Sequence, residues 1–161
     1  MLPAMPALVI LSRWLHVISA CLAIGGLFFF RFILPRALQG LDETASGQAF
    51  LACRRTFKML IHTVILLLIL TGIYNTCLAW DKYKLDEAVL HSLWGTHLLL
   101  AALAIVILLY VLAGKQPPPS HRRLMGVGFL ILLLTVAASS SLKWARERAV
   151  AQHSVENPLA P

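Results

Sequence analysis

The chain has 161 residues, of which 59% are apolar and only 13% are charged. Soluble domains are about 45–50% apolar and about 25% charged, so this composition excludes an ordinary soluble domain and indicates a membrane protein. The formal charge of +7 does not indicate a nucleic-acid partner, because the basic residues lie between apolar blocks, where positive charge sets membrane topology. The three cysteines form no CxxC pair, and we expect no disulfides.

Four apolar segments are each close to the ~20 residues that a helix needs to cross a bilayer. They cover about residues 8–34, 57–80, 90–113 and 124–142. The first is expected to stop at Pro35, and Pro117–Pro119 separates the last two, since consecutive prolines do not continue a helix. The sequence therefore predicts an all-α fold, an integral-membrane antiparallel four-helix bundle over residues 1–148. A polar, poorly ordered tail is expected at 149–161.

Four spans place both chain termini on one side of the bilayer. The polar connection at 37–58 and the loop after the third span, with their flanks, carry eight basic residues. The opposite side carries six, and the middle loop there adds three acids, Asp81, Asp86 and Glu87. Basic residues concentrate on cytoplasmic loops. This favours a multi-pass protein of the bacterial inner membrane with both termini outside the cytoplasm.

Histidine placement is the most informative feature of the sequence. His16 lies about eight residues into the first span and His97 about seven into the third, which is roughly 10–12 Å deep by helical rise. Both spans enter from the same side, so the two imidazoles are predicted at matching depth. An ionisable residue at such depth is a candidate functional group.

Small residues accompany both histidines at spacings of three or four residues, which place them on the histidine's face of each helix. Such a face admits another helix or a flat cofactor close to the backbone. We therefore predict that His16 and His97 ligate one centre in the bundle core, a haem b iron. Copper is the alternative, because imidazole also suits that metal. The small residues are Ser19, Ala20, Ala23, Gly26, Thr96, Ala101 and Ala104.

The remaining histidines are less deeply placed. His62 enters from the opposite side on the second span and is a candidate cofactor-binding residue, as the ligand of a second centre, a contact to a haem propionate or part of a relay. His91 and His121 fall at span ends and are expected at the interface. A further alternative is that His16, His97 and His62 are hydrogen-bonded core residues of a cofactor-free subunit that packs against a larger membrane complex.

Sequence motifs for catalysis are missing. The chain shows no Ser/His/Asp motif of nucleophilic catalysis, no pair of carboxylates and no phosphate-binding loop. The four spans contain no aspartate or glutamate. The missing acids argue against a carboxylate-based proton or cation transporter. We expect no catalytic residue and interpret the chain as an electron-transfer or accessory subunit that serves a redox partner. If it is an enzyme, it is a membrane haem-linked oxidoreductase.

Several short stretches resemble one known family: Arg13–His16, Gly25–Phe29, Pro35, Leu70–Thr76 and Trp94–Thr96. They are similar to the copper resistance protein D (CopD) domain, and more distantly to the HemJ type of membrane protoporphyrinogen oxidase. In that family and the HemJ type a lysine often occurs early in the third span, at or near the place of His97 here. The resemblance covers most of residues 12–113. It implies a four-helix membrane domain linked to copper transport, copper resistance or haem.

Overall fold

The computed structural model describes residues 6–113 and 119–156. In chain order they form α1 (Pro6–Phe28), a π-helical turn (Phe29–Ile33), α2 (Leu34–Ala37), α3 (Glu43–Tyr83), α4 (Glu87–Ala113) and α5 (Pro119–Glu156). No strand occurs within these ranges, so the predicted all-α class is confirmed for them. Four helical stretches are long and apolar enough to cross a membrane. Most of the predicted proline break, residues 117–118, lies outside the described residues.

Pro35 widens the first helix without ending it. Proline has no N–H, so the Arg31 carbonyl lacks the donor that an α-helix would supply four residues later. The chain adjusts just before this point, where the Leu34 N–H bonds the Phe29 carbonyl five residues earlier. That bond is the signature of a π-turn inserted into an α-helix. The helix then runs on through Pro35 to Ala37, two residues beyond the predicted stop.

The third and fifth helices are longer than the apolar segments that identify them. The Asp42 side chain caps α3 by accepting a 2.8 Å hydrogen bond from the Ala45 N–H, as an N-terminal aspartate commonly does. Much of the polar connection expected at 37–58 is therefore helical. The helix α5 continues to Glu156, where the sequence predicted a tail from residue 149. Ala149 is buried there, and this packing orders the helix beyond its apolar part.

The order of helix packing decides which residues can meet. The helix α1 packs mainly against α3 and α5, while α4 packs mainly against α5 and also against α3. Among the described residues, α1 and α4 share at most a marginal contact. The two helices that carry His16 and His97 are therefore separated by the other two.

The buried apolar side chains form two separate clusters. The phenylalanine cluster contains Ala23, Leu27, Phe30, Leu34, Phe57, Ile61, Val64, Leu108, Val111, Leu112 and Met125. The tyrosine cluster contains Ala79, Tyr83, Leu90, Leu142 and Ala149. Between them along the helices the buried residues are small or polar. We call His16, Ser19, Thr71, His97 and Thr135 the polar layer.

Candidate cofactor site

His16 is held by a threonine of α3. Its Nδ1 lies 2.8 Å from the Thr71 Oγ1, and the Thr71 hydroxyl donates its proton to the Leu67 carbonyl. A hydroxyl has one proton to give, so the Thr71 oxygen accepts from the His16 Nδ1–H. These contacts assign the Nδ1–H tautomer to neutral His16.

His97 is held in a parallel way by a threonine of α5. Its Nδ1 lies 3.2 Å from the Thr135 backbone carbonyl. A carbonyl only accepts, so His97 also donates from Nδ1. The Thr135 hydroxyl is used separately, in a 2.8 Å bond to the Ile131 carbonyl. The two histidines thus have the same tautomer, but one bonds to a side-chain hydroxyl and the other to the backbone.

The consequence of both bonds is an available Nε2 lone pair on each imidazole. A metal-ligating histidine almost always donates its other ring N–H to a carbonyl, carboxylate or water, and this fixes the ring orientation and raises the basicity of the ligating nitrogen. Within the described residues, no side chain or backbone group is hydrogen-bonded to the Nε2 of His16 or His97. Both imidazoles therefore have the bonding pattern of metal ligands.

His16 and His97 lie at matching positions on two helices that hardly touch. His16 is ten residues from the start of α1, and His97 is ten residues from the start of α4. Both positions correspond to about 15 Å of helix. His16 bonds to α3 and His97 bonds to α5, and these are the two helices that lie between α1 and α4.

Three of the small residues predicted beside the histidines are buried, whereas Thr96 is exposed and Gly26 makes a different contact. Ser19, Ala23 and Ala104 are at most 2% exposed, and the His16 ring passes 3.5 Å from where a Cβ on Gly72 would lie. Gly26 was expected to leave room for the cofactor. The ring of Phe57 fills that space, because a Cβ there would lie 2.1 Å from it.

Two hydrogen-bonded pairs lie one helical turn from the histidines, toward the start of α1 and α4. Ser12 donates to the Asn75 Oδ1 at 3.3 Å, and the Trp94 indole N–H donates to the Thr76 hydroxyl at 3.3 Å. Ser12 is buried. The polar character of the layer therefore continues toward this end of the molecule, whereas the phenylalanine cluster closes the other side.

The other histidines lie elsewhere. His62 is exposed on α3 and its Nδ1 bonds the Lys58 carbonyl of its own helix, so no described contact joins it to the polar layer, and its predicted cofactor role stays a prediction. His91 packs against the rings of Trp80 and Tyr83, with centroids 5.9 and 6.3 Å away. The side chain of His121 lies outside the described residues.

Sequence reasoning did not identify the partners of the histidines or one buried cation. Thr71 and Thr135 stand alone as buried polar residues in aliphatic stretches of α3 and α5, a signal that was available in the sequence. Arg54 is only 7% exposed and donates to the Val111 carbonyl at 3.1 Å. Arginine commonly bonds the last carbonyls of a helix, so Arg54 ties α3 to the end of α4.

The donor set fits some metal groups better than others. Within the described residues, no group of three or more His, Cys, Asp or Glu side chains is placed to hold a metal ion. A bare copper or zinc ion would receive two protein ligands here, fewer than such sites usually have. A haem iron takes four nitrogens from its own macrocycle, so two imidazoles complete its coordination. Comparisons with family models, curated proteins and solved structures gave no match to this chain.

Proposed function

We propose that this chain is an integral-membrane haem b protein, in which His16 and His97 supply the two axial ligands. One observation carries the proposal. His16 and His97 each lie ten residues into their helices, and the Nδ1 of each is hydrogen-bonded to an acceptor on one of the two helices that separate them. The Nε2 atom of each imidazole remains for a ligand. A haem at this position supplies one-electron chemistry, which suits an electron-transfer or accessory subunit.

The surrounding residues support a flat, largely apolar ligand. Ser19, Ala23 and Ala104 offer small buried surfaces beside the histidines. The Ser12–Asn75 pair offers polar groups at the edge nearer the chain ends, and the Asn75 amide N–H would be a donor for a ligand carboxylate there. Small residues with a few placed polar groups are the usual lining of a cofactor site within a helix bundle.

The membrane setting of the proposal rests on length and composition. Four stretches are long and apolar enough to cross a bilayer, and the packing order suits an antiparallel bundle with both termini on one face. The proposed location is the bacterial inner membrane, with both termini outside the cytoplasm, where basic residues are fewer. The polar layer is nearer that face, and a redox partner would approach from there.

The deciding experiment is an absorbance spectrum of the purified protein in mild detergent, with haem and metal analysis on the same sample. The wild type should show a Soret band and a low-spin spectrum. His16→Ala and His97→Ala should each lose an axial ligand, with lower haem retention or a high-spin spectrum. His91→Ala is the matched control, because that ring lies in the aromatic contacts near the end of α3.

The alternatives give different results. Stoichiometric copper without a Soret band, lost in the two histidine variants, would establish the copper-handling alternative. A wild type that carries neither haem nor copper after expression with both would refute the shared centre, and a packing subunit of a larger membrane complex would take its place.

A further inference from the structure

His16 and His97 are anchored to their neighbouring helices by different kinds of acceptor. The acceptor for His97 is a backbone carbonyl, which no substitution of the Thr135 side chain removes. The acceptor for His16 is the hydroxyl of Thr71, which a single substitution removes. The structure therefore contains one anchor that depends on side-chain identity and one that does not.

The Thr71 hydroxyl can only accept from His16, because it donates its own proton to another group. Its proton goes to the Leu67 carbonyl, and the Leu68 carbonyl lies 3.4 Å from the same oxygen. Threonine in a helix commonly donates back to a carbonyl one turn earlier. With the proton used in this way, the oxygen can only accept from the His16 ring, so the hydroxyl does not support the opposite tautomer.

Thr71 also occupies a constrained place. It is 7% exposed, and the next residue is Gly72, over which the His16 ring lies. The ring therefore packs on the α3 backbone while its Nδ1 is bonded beside it. Both contacts orient the imidazole, but only the hydrogen bond distinguishes the two ring nitrogens.

We propose that Thr71 is a positioning residue of the cofactor site, whose hydroxyl holds His16 as the Nδ1–H tautomer and so presents Nε2 as the ligating atom. This inference rests on the proposed function, since it concerns the same centre. Residues that bond to a ligating histidine typically contribute about 10–100-fold to metal affinity. We expect Thr71→Val to weaken haem retention by about that factor, while Thr71→Ser, which keeps the hydroxyl, stays near the wild type.

The matched control is Thr135→Val, which removes a buried threonine hydroxyl of the same kind without touching the carbonyl that His97 bonds. It should lower haem retention less than Thr71→Val does, because the backbone acceptor for His97 remains. A double-mutant cycle separates this role from a general loss of packing. If Thr71 acts through His16, Thr71→Val should have no further effect on haem retention in a His16→Ala background. Equal losses in Thr71→Val and Thr135→Val would overturn the inference.

A second measurement tests the tautomer without a cofactor. Nitrogen NMR of labelled histidine in the cofactor-free full-length protein should show His16 protonated at Nδ1 in the wild type and in Thr135→Val, and a shift toward the Nε2–H form in Thr71→Val. If Thr71→Val keeps the wild-type tautomer, Thr71 has no positioning role. A wild type without haem defeats the proposed function, whereas a haem-loaded Thr71→Val that equals the wild type defeats only this inference.

Discussion

The pair Gly25 and Gly26 provides a direct test of how α1 and α3 pack. In Gly26→Ala the new methyl would lie 2.1 and 2.3 Å from the Cε2 and Cζ of Phe57. Carbon atoms in contact prefer about 3.5–4.0 Å, so the ring must retreat by roughly 1.5 Å. Phe57 is 8% exposed and its ring lies 4.9 Å from that of Phe30, so it has little freedom to move. Overpacking of this kind costs about 1–3 kcal/mol.

Gly25→Ala is the control one residue away. A Cβ there meets nothing within 4 Å, and replacing glycine with alanine inside a helix gains roughly 0.5–1 kcal/mol. The same gain applies at Gly26, so the two variants should differ in free energy of unfolding by the overpacking cost, about 1–3 kcal/mol. For a chain of this size each kcal/mol shifts the melting temperature by about 2–4 °C. Thermal unfolding by circular dichroism in one detergent, at one scan rate, measures the difference, and equal melting temperatures would show that Phe57 does not pack on Gly26.

Further predictions concern Arg54, topology and the Gly26 region of the site. Arg54→Met removes a charged donor to the Val111 carbonyl and should lower the free energy of unfolding by about 1.5–3 kcal/mol, measured by thermal unfolding. The control Arg55→Met, at an exposed position, should change it by less than about 0.5 kcal/mol. Equal losses in the two variants would contradict the role of the Arg54 bond. In a cysteine-free background, Lys84→Cys and Gln152→Cys should react with an impermeant thiol reagent from outside the cell and Gln39→Cys only from the cytoplasm; labelling of all three from one side would refute the four-span topology. The haem spectrum of Gly26→Ala should match the wild type, because Phe57 already fills that space; a lost Soret band in a folded variant would place the cofactor further along α1.

The sequence predicted those features that depend on one helix at a time. Counting along each apolar segment placed His16 and His97 at matching positions, and the three- and four-residue spacing identified the face of α1 that is buried. Ser19 and Ala23 on that face are 2% and 1% exposed. Depth and face are properties of helical rise and periodicity, so they need no knowledge of neighbouring helices.

Features that depend on two helices were not predictable in the same way. Phe57 packs against Gly26, and His16 and His97 bond to α3 and α5. These contacts depend on which helices pack together and on their relative register. Helix ends were also missed, because an apolar window identifies the part of a helix that is hydrophobic and not its caps. Asp42 and the buried Ala149 extend α3 and α5 well beyond their apolar parts.

The sizes of the buried side chains along the core argue against a purely structural role for the histidines. Both apolar clusters pack large side chains, and the buried residues between them are serine, threonine and alanine. A packing subunit gains nothing from such a layer, because each aliphatic side chain moved into it would add about 1.5–3 kcal/mol of burial. The two histidines are half-buried, with the Nδ1 of each satisfied and no described partner at Nε2, and an acceptor left unpaired away from water costs free energy. A ligand that bonds both Nε2 atoms would satisfy these acceptors, and this favours the proposed shared centre over packing alone.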